Sequence, residues 1–247
     1  MTRKLTLIKG FAALGAAGLL LAGCGDELPS PGDGDNTGSS DGGSGSGSGS
    51  YSAMIDWDGC EAFDDIQPVQ DFMGVVDLGS TGELVTSDIP GGLDGEAFNC
   101  GASATLPSYT FAGRDIPGDA SIDVGGVPWD SADEAAENFT SRVDQLKNSN
   151  ETGGLDFSNQ QEGEIDGDWD QSYYFAADTS TGYQLNAIGL KGDLIVYVFI
   201  THIVDPGVYN DDDPVYPFND EELVDWVLND YMPQTHADLL AKKESGL

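Results

Sequence analysis

Most of the side chains able to do chemistry in this chain are carboxylates. It carries 44 Asp and Glu against 9 Lys and Arg, with 2 His and 3 Cys. Two carboxylates facing each other across a cleft can do acid and base work on a glycosidic bond without any local motif. A carboxylate-based glycan hydrolase is therefore one chemistry the composition admits. The run Glu164-Ile165-Asp166-Gly167-Asp168-Trp169-Asp170 mixes acids with an aromatic ring able to stack on a sugar or cover a cation. It lacks the glycine and terminal glutamate of a calcium loop and reads as a solvated turn. Asp211, Asp212 and Asp213, after Asn210, are the densest acids and the metal-ligand candidates, with calcium the fitting ion. His202 and His236 lack zinc-site spacing and read as a strand-end side chain and a solvated helix position. No G-x-S-x-G elbow, glycine-rich phosphate loop or nucleotide fingerprint is present, so nucleophilic catalysis has no visible apparatus. A net charge of −35 excludes nucleic acid as a partner, because phosphate binding depends on Lys and Arg releasing counterions.

The elements that must position these groups follow from periodicity. Pro68 to Met73 suits a short helix, with Pro in the first turn and Gly74 at its end. Residues 77–95 read as loop with a brief strand at Leu84 to Thr86, and strands are predicted at Ala97 to Leu106, Tyr109 to Ala112 and Ala120 to Val127. Ser131 to Glu134 forms a capping box that opens a helix to about Lys147, with Ala135, Ala136, Phe139, Val143 and Leu146 on one face. Strands at Ser172 to Ala177, Tyr183 to Leu190 and Leu194 to Val204 supply the sheet core, the last two joined through Lys191-Gly192-Asp193. The run Leu194 to Ile200 is apolar on both faces and belongs at the centre of a sheet covered on both sides. After an acidic loop from Asp205 to Pro217, Asn219 caps a helix that Pro233 must kink or split. The fold class is α+β, an antiparallel sheet with helices packed on it.

The N-terminus carries a different signal. Arg3, Lys4 and Lys9 precede an apolar run from Phe11 to Ala22, too short to span a bilayer as a mature helix, which needs ~20 residues. The order Leu21-Ala22-Gly23-Cys24 resembles the lipobox of bacterial lipoproteins, in which a diacylglycerol is attached to the cysteine thiol and a peptidase cuts just before it. That resemblance implies a signal peptide at residues 1–23 and lipidation at Cys24. The mature chain would then be anchored through its lipid on the extracytoplasmic face of the cell membrane, its net charge moving from −35 to −38 with the loss of Arg3, Lys4 and Lys9. Residues 24–50 are Gly, Ser, Asp and Pro with almost nothing to bury, a flexible tether with an r.m.s. span of roughly 28 Å. Within it, Asp33-Gly34-Asp35-Asn36-Thr37-Gly38 imitates the start of a calcium loop, but Ser44 stands where the bidentate Glu is required. Residues 51–247 read as a single globular domain. With Cys24 acylated, Cys60 and Cys100 remain in an oxidising compartment and are expected to form a disulfide.

The arrangement of Cys24, a Gly/Ser tether, then Cys60 and Cys100 flanking the first helix and strand also resembles actinobacterial two-cysteine lipoproteins of unknown function. Ser131 to Lys147, Tyr183 to Val204 and Asn219 to Lys243 match that group's order of a later helix, a hairpin and a terminal helix, while Gly101 stands where an aromatic often follows the second cysteine. The resemblance implies a PsbP-like α/β/α sandwich, a fold shared with the extracellular sensor domain of a mycobacterial receptor kinase. The function expected is a non-catalytic binding or scaffolding module of the cell envelope, a monomer with a protein or glycan partner. The alternatives are the glycan hydrolase and a calcium- or cation-dependent sensor or adhesion domain.

Overall fold

Every second residue of the run Leu194, Val196, Val198, Ile200 and His202 is buried, and so are Ile195 and Tyr197 between them. A strand apolar on both sides sits inside a sheet with both faces covered. A computed structural model shows this arrangement for residues 49–79, 83–88, 97–154 and 156–246. Cys24, the expected leader at residues 1–23, the expected tether through residue 48 with its calcium-loop imitation, and residues 80–82 and 89–95 of the expected loop lie outside the described residues.

The strands are β1 (Asp77–Leu78), β2 (Val85–Ser87), β3 (Phe98–Phe111), β4 (Arg114–Pro128), β5 (Ser158–Gly163), β6 (Gln171–Asp178), β7 (Gly182–Lys191) and β8 (Leu194–Ile203). They form one antiparallel sheet ordered β1-β3-β4-β8-β7-β6-β5, with β2 also on the outer edge of β3. The expected strands at 97–106 and 109–112 are one strand. A register shift between Leu106 and Tyr109 absorbs Pro107, which cannot donate to a ladder and is tolerated at a bulge. The β3–β4 hairpin closes through Ala112 and Gly113, both at positive φ (50° and 75°), the type I′ geometry that matches strand twist. Strand β5 has the sequence Ser-Asn-Gln-Gln-Glu-Gly and no apolar alternation, and it pairs with β6 at the sheet edge.

The helices are α1 (Ser50–Met54), α2 (Gly59–Ala62), α3 (Gln67–Met73), α4 (Ala132–Thr152), α5 (Pro206–Tyr209), α6 (Asp220–Trp226) and α7 (Met232–Ser245). On one face of the sheet, Phe98, Cys100, Leu106, Ile122, Val124, Leu185, Val196 and Ile200 pack against Trp57, Phe63, Met73, Leu223, Val227 and Leu239 of the N- and C-terminal helical segments. On the other face, Phe139 of α4 joins Tyr173, Phe175, Ile188, Ile195 and Tyr197. Ser131 Oγ accepts the Glu134 N–H (3.3 Å) and donates to the Glu134 carboxylate (3.1 Å), so this cap meets its glutamate through the hydroxyl. The full reciprocal box stands at Asn219, whose Oδ1 accepts the Glu222 N–H (2.9 Å) while the Glu222 carboxylate accepts the Asn219 N–H (3.0 Å). Pro233 does not split the last helix. A π-helical turn at Val227–Tyr231 joins α6 to α7, and the wider turn accommodates the missing N–H one residue into α7.

Cys60 and Cys100 are bonded, tying α2 to β3 with Cα atoms 4.5 Å apart. Phe98 is fully buried between Trp57 (edge-on, 5.8 Å) and Phe63 (stacked, 5.4 Å), pairs worth about 0.5–1.5 kcal/mol each beyond area burial. The chain enters this assembly at Ser50, which is 0% exposed. Its N–H and Oγ donate to the two oxygens of Asp193 in the β7–β8 turn (2.9 and 2.6 Å), and Lys243 of α7 donates to its Oγ (2.8 Å).

Candidate functional site

At the opposite end of β8 from Ser50, the sheet, the 205–217 loop and the start of α6 enclose a cavity of about 440 Å³. Its wall is aromatic: Tyr183 of β7, His202 of β8, Tyr216 of the loop and Phe218 just after it. His202 meets Tyr216 and Phe218 edge-on at 6.0 and 5.4 Å and lies tilted over Tyr183 at 5.7 Å. Asp178 and Asp220 add carboxylates to the same lining. Burial pushes the Tyr183 hydroxyl upward in pKa, with the Asp220 and Asp178 charges adding to it. Tyr216 moves the same way through burial and the charges of Asp205 and Asp119.

His202 is the polar centre of this wall, with its side chain 3% exposed. Nδ1 lies 2.9 Å from the Ile203 carbonyl, which can only accept, so Nδ1 carries the hydrogen. Nε2 lies 3.1 Å from Asp220 Oδ1, an ion-pair distance, yet it has no hydrogen bond of acceptable alignment. A general base in a catalytic triad is oriented through one nitrogen and free through the other. Here one nitrogen is committed to the backbone and the other abuts a carboxylate, a geometry suited to holding a donor. Parity along β8 is the sequence signal that locates His202, because it shares the even-numbered, core-facing set with Val198 and Ile200.

The loop that closes the cavity is organised by one residue that motif reading passed over. Asp205 Oδ1 accepts the N–H groups of Gly207 (2.7 Å) and Val208 (3.3 Å), and Oδ2 accepts those of Val215 (2.9 Å) and Tyr216 (2.7 Å). The first pair starts α5 and the second pins the far end of the loop, which sets Tyr216 and Phe218 against His202. Asp211, Asp212 and Asp213 lie exposed on the outside of this loop. Asp212 accepts the Tyr109 hydroxyl (3.0 Å) and the Asp213 N–H (2.9 Å), which hold its carboxyl below the usual range. Among the described residues no three His, Cys, Asp or Glu side chains are arranged to hold a metal ion.

A second cavity, about 550 Å³, brings together two stretches that the sequence left separate. Trp169 lies flat over Gly189, where any Cβ would stand 2.7 Å from its ring, and meets His236 edge-on at 5.6 Å. Gly189 is therefore required by close approach. His236 was expected in solvent on a helix surface; it is 5% exposed, because α7 turns that position onto the Trp169 ring. Burial lowers its pKa, and with the ring hydrogen-bonded to the Lys191 backbone, Nε2 has no partner. The Asp166 to Asp170 turn is exposed as expected except for Trp169, and Asp168 pairs with Lys191.

Three cations that could have lined a binding face serve the fold instead. Lys242 caps α2 at the Ala62 carbonyl (2.8 Å) and pairs with Asp64 (2.7 Å), Lys243 holds Ser50, and Lys147 sits 4.7 Å over the Tyr173 ring. The chain matches no protein-family model, no curated protein and no solved structure.

Proposed function

We propose that this protein is a lipid-anchored module of the bacterial cell envelope that binds a partner at the aromatic cavity and does no catalysis itself. The lipobox-like Leu21-Ala22-Gly23-Cys24 and the Gly/Ser stretch supply the anchor and tether, and a Cys60–Cys100 bond fits an oxidising extracytoplasmic compartment. The observation that carries the reading is the placement of the two ends of β8. Ser50, where the chain enters the fold, is clamped at Asp193. The aromatic cavity lies at His202, roughly 30 Å further along the strand at ~3.3 Å per residue. The chain enters the fold at one end of β8, and the cavity at the other end is left open to a partner. The helices on both faces of an antiparallel sheet are compatible with the PsbP-like sandwich, which we propose as the fold family.

Acylation is tested by expressing the full chain in a bacterial host supplied with alkyne-tagged palmitate. Labelling and membrane fractionation are expected for the wild type, and both are lost in Cys24→Ser. A wild-type chain that is unlabelled and recovered in the soluble fraction overturns the anchored reading.

A further inference from the structure

We infer that the cavity at His202 is a receptor for a Lys or Arg side chain presented by a basic polypeptide segment. The inference deepens the binding-module reading by naming the chemistry of its partner.

Three features of the cavity converge on a cation. The walls contributed by Tyr183, Tyr216 and Phe218 are aromatic, and an ammonium or guanidinium group is attracted to the faces of such rings. Asp178 and Asp220 supply countercharge in the same lining; Asp178 keeps one oxygen beyond the bond its other oxygen accepts from Asn159 Nδ2 (2.5 Å). The third feature is His202. Nδ1–H is given to the Ile203 carbonyl, and Nε2, 3.1 Å from Asp220 Oδ1, has no aligned hydrogen bond; with Nε2 unprotonated, its lone pair and the carboxylate are two acceptors side by side. Nε2 is buried and needs a donor, while Asp220 is half-exposed and open to a cation from outside. A cationic head with several N–H groups donates to Nε2 and to both carboxylates at once, and its charge balances theirs.

The surface beside the cavity favours a polypeptide over a small free amine. Val208 lines the opening and is 51% exposed, and its α5 neighbour Tyr209 is 77% exposed. Helix α5 packs on the projecting β3–β4 hairpin, where Phe111 and Ile116 are 54% and 39% exposed. Exposed apolar side chains grouped at one end of a molecule mark interaction surfaces. Asp115, Asp119, Asp211, Asp212 and Asp213 surround this end, and Arg114 is its one basic residue among those described. A segment that places one Lys or Arg in the cavity and lays flanking side chains over Val208, Tyr209 and Phe111 satisfies both the charge and the apolar surface.

The test uses the full chain in nonionic detergent at 0.15 M NaCl, with acetyl-pentalysine amide as probe and butylammonium and acetyl-pentaglutamate amide as separate arms. Calorimetry is expected to show saturable pentalysine binding, much weaker butylammonium binding and none of the glutamate peptide. Asp178→Asn with Asp220→Asn should weaken pentalysine at least tenfold. A charge-matched pair on α4, Asp133→Asn with Glu137→Gln, should change it less than twofold. Histidine ¹⁵N spectra of the wild type supply a readout that needs no variant: the Nε2 signal of His202 is expected to move on binding. Equal weakening by the two pairs, or an unmoved Nε2 signal, overturns the site in favour of general attraction to an acidic surface. Butylammonium binding as tightly as the peptide reassigns the cavity to a small free amine. An Nε2 already protonated without ligand shows that the His202–Asp220 ion pair satisfies itself and also overturns the proposal. Failure here with palmitate labelling at Cys24 intact removes the ligand and leaves the anchored module; loss of labelling with the peptide still bound does the reverse.

Discussion

Asp205→Ala is the substitution through which the construction of the site is best read. The carboxylate gathers four backbone N–H groups at 2.7, 3.3, 2.9 and 2.7 Å from both ends of a loop that the rest of the sequence does little to fold. Two of the donors, Gly207 and Tyr216, belong to buried residues, and their bonds are the shortest. Hydrogen bonds to a charged acceptor contribute about 1.5–3 kcal/mol each net, so the two buried ones set an expected loss of about 3–6 kcal/mol. The exposed Val208 amide exchanges its bond for water and adds little. For a domain of this size each kcal/mol corresponds to about 2–4 °C, so the melting midpoint should fall by at least about 6 °C. Asp205→Asn keeps one accepting oxygen and should lose about half as much. Urea unfolding gives the free energies, and amide hydrogen exchange gives the mechanism: in Asp205→Ala the Val215 and Tyr216 amides should lose protection while those of β8 keep theirs. A change below about 1 kcal/mol, or Tyr216 still protected, would refute the claim that this carboxylate holds the loop closed.

Two further outcomes follow from groups buried elsewhere. The Cys60–Cys100 bond spans a sequence separation of 40, for which the chain-entropy model gives about 4 kcal/mol, so Cys60→Ala with Cys100→Ala should lower the midpoint by about 8–16 °C; a shift under about 3 °C would show that the unfolded chain is not restrained by the link. His236 titrates in the unfolded chain near its ordinary 6.5 and below that value when folded, because burial disfavours the imidazolium. Protons therefore bind the unfolded chain first. The stability present above about pH 6.5 should be lost as pH falls toward and through the folded value. Melts between pH 7.5 and 5.5 should show that decline in the wild type and a flatter profile in His236→Leu; identical slopes would place the titration in another group.

The sheet was legible in the sequence wherever burial imposed a period. Residues 171–203 alternate or run apolar because strands β6 to β8 occupy the middle of the sheet, and α4 declares itself through Ser131 and its three-and-four spacing. Strand β5 left no trace, since an edge strand with its residues facing solvent needs ladder bonds but no apolar side chains. The extension of β4 back to Arg114 was hidden for the same reason: that part of the hairpin projects beyond the core, and its residues are exposed. The site was less legible than the fold. Counting acids pointed to Asp211 to Asp213, which are adjacent and solvated, whereas the organising acid is the isolated Asp205, whose role depends on amides two to eleven residues away. His202 and Asp220 are joined only by the sheet and the α6 cap, and Trp169 and His236 meet only because Gly189 lets the indole lie on β7.

The surplus of acid is a physical condition the fold must live under, and its response to salt separates that condition from specific recognition. With 44 acids against 9 bases, pairing inside the chain cannot neutralise the surface, and Lys191, Lys242 and Lys243 are already engaged with Asp168, Asp64 and Ser50. Like charges at such density repel over distances set by screening, ~30 Å at 0.01 M salt and ~8 Å at physiological strength. Unfolding spreads the charges apart, so low salt favours the unfolded chain. Sodium chloride raised from 0.01 to 0.5 M should therefore raise the melting midpoint steeply at first and then level off. Calcium chloride at matched ionic strength should follow the same curve if the acids act only as a field. A calcium midpoint well above the sodium curve would mean convergent oxygens bind the ion in the folded state, since a ligand that binds only that state stabilises by mass action. Asp211, Asp212 and Asp213 would then be the side chains to replace. A midpoint indifferent to sodium chloride would refute the repulsion argument, and with it the use of surface charge as a reason for the His202 end of the sheet to prefer a basic partner.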